Sequence, residues 1–142
     1  KFNHHFVFST KDRVRSISGE WSGEFHKYMG GVVNGLGGKA LAVGGVEDHV
    51  HLLVGLGTVG SVGDFMRELK KASGKWVREV KKVQSFKWQE GYGGFTVSPN
   101  AVESVRGYVL RQEEHHRVKT FEEEFREILE KAGVEFDERF LF

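Results

Sequence analysis

Residues 41–56 of the chain read LAVGGVEDHVHLLVGL. Two apolar runs flank the polar pair Glu47-Asp48, and this pattern predicts two strands joined by a tight turn. Residues two apart in a strand project from the same face, so His49 and His51 point the same way and Val50 points the other way. Two neutral imidazoles on a rigid strand suit one divalent cation. The alternative is a pair of hydrogen-bonded histidines at a strand start.

A second group of polar residues lies about sixty positions later. The segment from about Asn100 to Arg117 has an apolar stripe at spacings of three and four, which predicts a helix. The stripe consists of Val102, Val105 and Val109. Tyr108 and Gln112 are four residues apart, so they share one helix face beside that stripe. Taken alone, this pair is better interpreted as a boundary tyrosine and a solvated glutamine.

Together the two elements resemble the single-tyrosine HUH transposases of small insertion sequences, which move as single-stranded DNA. His49-Val50-His51 matches the His-hydrophobic-His motif, and Tyr108 followed by Gln112 matches the catalytic helix. Three flanking segments are also similar to that family: GGVED at 44–48, WQEGYGGF at 88–95 and QEEHH at 112–116. The similarity covers nearly the whole chain, and its parts follow the family's order.

The resemblance implies that His49, His51 and Gln112 are metal ligands and that Tyr108 is the nucleophile. It implies Mg²⁺ as the working ion, although two imidazoles favour Mn²⁺ on ligand type. Attack by Tyr108 would leave a 5′-phosphotyrosine and a free 3′-hydroxyl, and reversal would rejoin DNA without ATP. Because the tyrosine pKa is ordinarily near 10, we expect nearby positive charge to assist ionisation. His115 is a candidate accessory residue.

The same resemblance implies that the partners are single-stranded DNA hairpins at transposon ends. It also implies a homodimer in which a tyrosine helix can dock on either chain, and the glycine-rich segment Gly91 to Gly94 would act as its hinge. Edge strands of a small sheet favour such pairing. We expect no small-molecule substrate and no membrane partner. We also expect a cytoplasmic location in a prokaryote, with action at the nucleoid.

Three other classes of protein are alternatives to this interpretation. Replication initiators and relaxases share the chemistry, but they are usually larger, and the chain has no room for a helicase domain. A ferredoxin-like module that binds single-stranded nucleic acid without catalysis would need no metal and form no covalent adduct. A domesticated relative would process repetitive chromosomal hairpins.

Composition narrows the class of protein. The 142 residues suit one domain covering 1–142. The absence of cysteine excludes disulfides and thiolate metal sites. No apolar run is long enough to span a bilayer, and no secretory signal pattern opens the chain. The sequence begins at Lys1, so we expect a few native residues to precede it.

Charge is unevenly distributed although the net charge is only +1. Residues 67–87 contain eight basic and two acidic residues, whereas residues from 113 onward contain five basic and ten acidic residues. The basic segment is a candidate phosphate-binding surface, and the alternative is a pair of solvated helix faces. The candidate DNA contacts are Lys11, Arg13, Arg67, Lys70, Lys71, Lys75 and Arg78.

The order of predicted elements is β-α-β-β-α-β followed by two helices. It indicates an α+β protein with the ferredoxin-like (RRM-like) split βαβ arrangement. We expect an antiparallel sheet with helices mainly on one face and C-terminal helices that carry the nucleophile. The predicted strands are Phe2–Ser9, Leu41–Val46, His49–Leu56 and Phe95–Val97. The predicted helices are Trp21–Leu36, Val62–Val80, Asn100–Arg117 and Phe121–Ala132. We interpret His4 and His5 as strand-edge or packing residues.

Overall fold

The computed structural model describes residues 2–57, 60–112, 123–124 and 126–127. These residues contain four strands and three complete α-helices, with helical backbone also at 123–124 and 126–127. The strands are β1 (Phe2–Ser9), β2 (Lys39–Val46), β3 (His49–Leu56) and β4 (Gly93–Val97). The helices are α1 (Ser22–Gly35), α2 (Val62–Val80) and α3 (Val102–Leu110).

The four strands form one antiparallel sheet in the order β2-β3-β1-β4. β3 lies between β1 and β2, and its side chains are buried on both faces of the sheet. His51 lies opposite Val7 of β1 and opposite Gly44 of β2. This topology confirms the predicted ferredoxin-like sheet, and it places the two histidines at the start of a central strand.

One face of the sheet is covered by α1 and α2. Phe6 of β1 and Leu52 of β3 are fully buried against these helices. Each such side chain contributes about 1.5–3 kcal/mol on burial. Helix α2 begins where Ser61 Oγ accepts a hydrogen bond from the backbone N–H of Asp64, which satisfies one free donor of the first turn. The helix side of this core consists of Phe25, Met29, Val33, Phe65, Met66, Leu69 and Val77.

Helix α3 lies on the opposite face, over β2 and β3. Its Val109 is buried with Ala42 and Leu53 in a second, smaller cluster. Gly44 allows this approach, because a Cβ at that position would overlap the main-chain oxygen of Val109. The prediction of helices mainly on one face is confirmed, and α3 covers part of the other face. None of the described helices is long and apolar enough to cross a membrane.

Helix α3 starts two residues later than the sequence predicted. Pro99–Ala101 forms a single 3₁₀ turn, and regular α-helix begins at Val102. The helix ends at Leu110, whereas the sequence predicted a continuous helix through Arg111, and helical backbone resumes at Gln112. The predicted continuation from Glu113 to Arg117 lies outside the described residues. The same holds for most of the predicted helix Phe121–Ala132, of which 123–124 and 126–127 are described and helical.

Candidate active site

His49 and His51 lie on the sheet face that carries α3. Neither has any exposed surface. They alternate with Val50 and Leu52, which enter the α1/α2 core on the other side. The strand therefore presents both imidazoles to one enclosed space.

Each imidazole is held at Nδ1 by a neighbouring group. His49 Nδ1 lies 2.8 Å from Asp48 Oδ1, and His51 Nδ1 lies 2.9 Å from Nε2 of His5. Both Nε2 atoms face Glu124, whose Oε1 is 2.9 Å from His51 and 3.4 Å from His49. A supporting partner on one ring nitrogen fixes the orientation of the other, as at known metal sites.

The carboxylate of Glu124 completes a three-donor cluster. Glu124 is 1 % exposed, and its ligand atom lies with those of His49 and His51 within a mutual distance of 4.8 Å. Ligands at about 2.1 Å from an ion are separated from each other by about 3–4 Å. Small side-chain shifts would therefore suffice for the three donors to share one divalent cation.

Tyr108 lies beside this cluster in the same chain. Its ring centroid is 5.6 Å from that of His51 and 6.2 Å from that of His5. Burial raises the pKa of Tyr108 well above its usual range, and a hydrogen bond to the Glu124 carboxylate raises it further. The raised pKa opposes ionisation of the Tyr108 hydroxyl. Tyr108 is therefore a neutral phenol at pH 7.

Gln112 is buried one helical turn beyond Tyr108. It is 1 % exposed, and its Nε2 donates to the carbonyl of Tyr108 over 3.1 Å. Its Oε1 is buried without a hydrogen-bond partner among the described residues. Gln112 also lines a cavity of about 260 Å³ between α1, β2 and the end of α3. The alternative of a solvated glutamine is wrong, since Gln112 is almost fully buried.

The three histidines of the site differ in their affinity for a proton. Burial lowers the pKa of His5 to about 4. Burial also lowers the pKa of His51 to about 3, despite its hydrogen bond to Glu124. For His49, burial is outweighed by Asp48 and Glu124, which raise the pKa. His51 and His5 are therefore neutral at pH 7, and neutral imidazole is the form that can bind a metal ion.

The chain matches a known family. The model described as "Transposase IS200 like" matches residues 1–112. The chain belongs to the IS200-like transposase family. No match was found among curated proteins.

Two solved structures share the fold of this IS200-like transposase. A candidate transposase from Deinococcus radiodurans R1 has a TM-score of 0.61 at 22% identity, covering 75% of this chain and 87% of that chain. A REP-associated tyrosine transposase bound to a REP hairpin has a TM-score of 0.57 at 13% identity, covering 76% of this chain and 64% of that one.

Two of the candidate DNA contacts bind the protein's own main chain. Lys70 Nζ donates to the carbonyls of Gln89 and Gly91 over 2.7 and 2.6 Å. Arg78 donates to the carbonyl of Phe86 over 3.1 Å. Both side chains thus hold the segment that leads to β4.

The other candidate contacts lie elsewhere on the surface. Arg67 pairs with Asp64 over 2.8 Å, while Lys11, Lys71 and Lys75 are exposed. Arg13 ends the 3₁₀ turn that follows β1. Helix α2 covers the sheet face opposite the histidines, so its lysines do not border the candidate active site. His115 lies outside the described residues.

Sequence reasoning missed three residues of the site. Asp48 precedes His49 directly, and an acceptor at that position was a usable local signal. His5 was interpreted as a packing residue, and only the pairing of β1 with β3 shows its contact with His51. Glu124 lies 73 positions from His51, in a helix pattern that marks it as an ordinary surface charge.

Proposed function

We propose that this IS200-like transposase is a single domain that cleaves and rejoins single-stranded DNA through a 5′-phosphotyrosine on Tyr108. The observation that carries the proposal is the position of Tyr108 against the cluster of His49, His51 and Glu124 within one chain. A nucleophile next to a set of metal-ligating side chains is the arrangement that metal-assisted phosphoryl transfer requires.

The donor set fits a divalent cation. His49 and His51 would bind through Nε2 and Glu124 through its carboxylate, with the buried Oε1 of Gln112 as a further candidate donor. Imidazole and oxygen donors without thiolate suit Mg²⁺ or Mn²⁺. When bound, the ion would supply positive charge that stabilises the phosphate in the transition state and favours ionisation of Tyr108.

Tyr108 and Glu124 would perform the proton and bond changes. The Tyr108 hydroxyl is hydrogen-bonded to the Glu124 carboxylate, which is placed to accept its proton. The phenolate oxygen would attack phosphorus, forming the tyrosine–phosphate bond while the bond from phosphorus to the 3′-oxygen breaks. The 3′-oxygen takes up a proton and leaves as a hydroxyl. Attack by another 3′-hydroxyl reverses the step and releases Tyr108.

The proposed partner is single-stranded DNA with hairpins at the ends of a mobile element. The REP hairpin in the structure of the REP-associated relative supports a folded single strand as the kind of ligand. Exposed lysines such as Lys11, Lys71 and Lys75 would contact phosphates without reading sequence. A homodimer is also proposed, because β2 and β4 are edge strands of a small sheet.

Covalent trapping tests this function. The protein is incubated with Mg²⁺ and single-stranded DNA carrying a terminal hairpin, and a denaturing gel reports protein–DNA adducts. Wild type should form an adduct that excess chelator prevents, and Tyr108→Phe should form none while still binding DNA. Tyr92→Phe is the matched control, because Tyr92 is 41% exposed immediately before β4 and should behave as wild type.

The gel also separates the alternatives. If wild type binds DNA but never forms an adduct, the chain is a binding module and the proposed catalysis is wrong. If Tyr108→Phe retains the adduct and Tyr92→Phe loses it, the nucleophile has been assigned to the wrong residue.

A further inference from the structure

His5 is a buried histidine that the proposed reaction does not use. It is 6 % exposed and lies on β1, on the same sheet face as His49 and His51. In the register of β1 and β3 it is opposite Leu53, so His51 is its diagonal neighbour. Its Nε2 lies 2.9 Å from His51 Nδ1. Nothing in the motif itself would draw attention to this residue.

The environment of His5 fixes its ring in place. Its centroid is 5.1 Å from that of His51 and 6.2 Å from those of Phe95 and Tyr108. These rings leave the imidazole enclosed. A neutral imidazole has one N–H donor and one acceptor nitrogen.

We propose that His5 is a positioning residue that holds His51 with Nε2 toward the metal site and adapts its own tautomer when a metal ion binds. The proposal rests on the proposed function, since it takes His51 as a metal ligand. His5 would act on the ion only through His51.

The proton positions follow from the contacts. Without an ion, His51 Nε2 lies 2.9 Å from Glu124 Oε1, which calls for a proton on Nε2 because a carboxylate only accepts. His51 Nδ1 then accepts from His5 Nε2–H. A metal on His51 Nε2 requires the proton on Nδ1, which then donates to His5 Nε2, and His5 carries its own proton on Nδ1. Each imidazole keeps one proton in both states.

The contrast with His49 supports this role. The group behind His49 is the Asp48 carboxylate, which can only accept and therefore holds one tautomer, Nδ1–H. His51 has a partner that can both donate and accept, so its Nε2 can bond to Glu124 in one state and to an ion in the other.

Metal binding by three variants tests the proposal. Isothermal titration with Mn²⁺ is performed on wild type, His5→Phe and His5→Gln, with circular dichroism to check the fold. His5→Phe removes the hydrogen bond and should weaken Mn²⁺ binding about 10–100-fold, as expected for loss of a group that supports a metal ligand. His5→Gln keeps a donor and an acceptor and should fall between wild type and His5→Phe.

His4→Phe is the matched control. His4 is the adjacent residue on the other face of β1, where it stacks on Phe6 with 5.4 Å between centroids. Its replacement should leave Mn²⁺ affinity unchanged. Equal Mn²⁺ affinity of wild type and His5→Phe would overturn the role of His5 alone, whereas wild type that binds no Mn²⁺ would overturn the metal site and the role together.

Nitrogen NMR of the wild type decides the matter even if His5→Phe does not fold. With ¹⁵N-labelled histidine, the tautomers of His5 and His51 are read from their ring nitrogen shifts before and after saturation with Mg²⁺. Both rings should change from the Nε2–H to the Nδ1–H form. Tautomers of His5 that are identical in the two states would contradict the proposal.

Discussion

At the scale of single residues, Glu124 connects the two parts of the candidate site. Its carboxylate lies near Nε2 of both histidines and accepts a hydrogen bond from Tyr108. One negative group thus faces both imidazoles and the Tyr108 hydroxyl. This negative charge favours the protonated form of Tyr108, so we expect the proposed nucleophile to ionise only when positive charge enters the site.

His26 gives a pH prediction outside this cluster. Burial lowers the pKa of His26 from 6.5 to about 4, so the folded state disfavours its protonated form. Between these values the unfolded chain binds more protons, and the free energy of unfolding should fall as pH decreases from 6.5 toward 4. His26→Gln should make this fall less steep. Urea unfolding of wild type and His26→Gln at pH 7.5, 6 and 5 measures how stability changes with pH in each protein. Identical pH dependence of the two proteins would show that His26 titrates normally.

At the scale of elements, the contact between α3 and β2 places Tyr108, the proposed nucleophile. Gly44 is the cross-strand partner of His51 and touches the backbone of Val109, the residue after Tyr108. The glycine therefore sets the distance from the tyrosine helix to the histidines. This relation concerns two elements that are more than fifty residues apart in the sequence.

Gly44→Ala should displace α3. Its Cβ would overlap main-chain atoms that cannot rotate away, so we expect about 1–3 kcal/mol of destabilisation and a large loss of adduct formation. Gly31→Ala is the control, because Gly31 is exposed in α1 with no atom within 4 Å of an added Cβ. It should stabilise the protein by up to about 1 kcal/mol. Thermal unfolding and the adduct assay measure both effects, and a Gly44→Ala protein with normal activity would contradict this account.

Local sequence patterns predicted most of the helices and strands. The site residues that these patterns missed are defined by contacts between elements that are distant in the sequence. Alternation in β3 and the polar turn at Glu47-Asp48 are local, so both strands of the hairpin were located from sequence. The apolar spacing of α2 and its cap at Ser61 are local as well. By contrast, the roles of His5 and Glu124 depend on strand register and on a helix that returns to the sheet. No short window of sequence contains that information.

At the scale of the whole molecule, the chain separates its charges. Basic residues of α2 lie on the sheet face opposite the histidines, whereas the acidic Glu124 reaches the site itself. A DNA strand that contacted Lys71 and Lys75 would have to pass around the sheet to meet Tyr108. Phosphate contacts on α2 would therefore position a hairpin away from the cleavage point.

The tyrosine helix is tied to its own sheet. The sequence suggested a glycine hinge at Gly91 to Gly94, but Gly93 and Gly94 belong to β4 and pair with Val7 and Phe6 of β1. Only residues 98–101 separate β4 from α3. Such a short connection keeps Tyr108 near the histidines of its own chain.

Mixing two inactive variants tests this arrangement in the proposed homodimer. His51→Ala and Tyr108→Phe proteins are combined, and mass spectrometry confirms that subunits have exchanged. The ring centroids of Tyr108 and His51 are 5.6 Å apart within one chain. Each active site should therefore be complete within one chain. No site of the mixed dimer then has both an intact tyrosine and intact histidines, so cleavage should stay absent. Cleavage that reappears after exchange would show that α3 docks on the partner, where one composite site has every group intact.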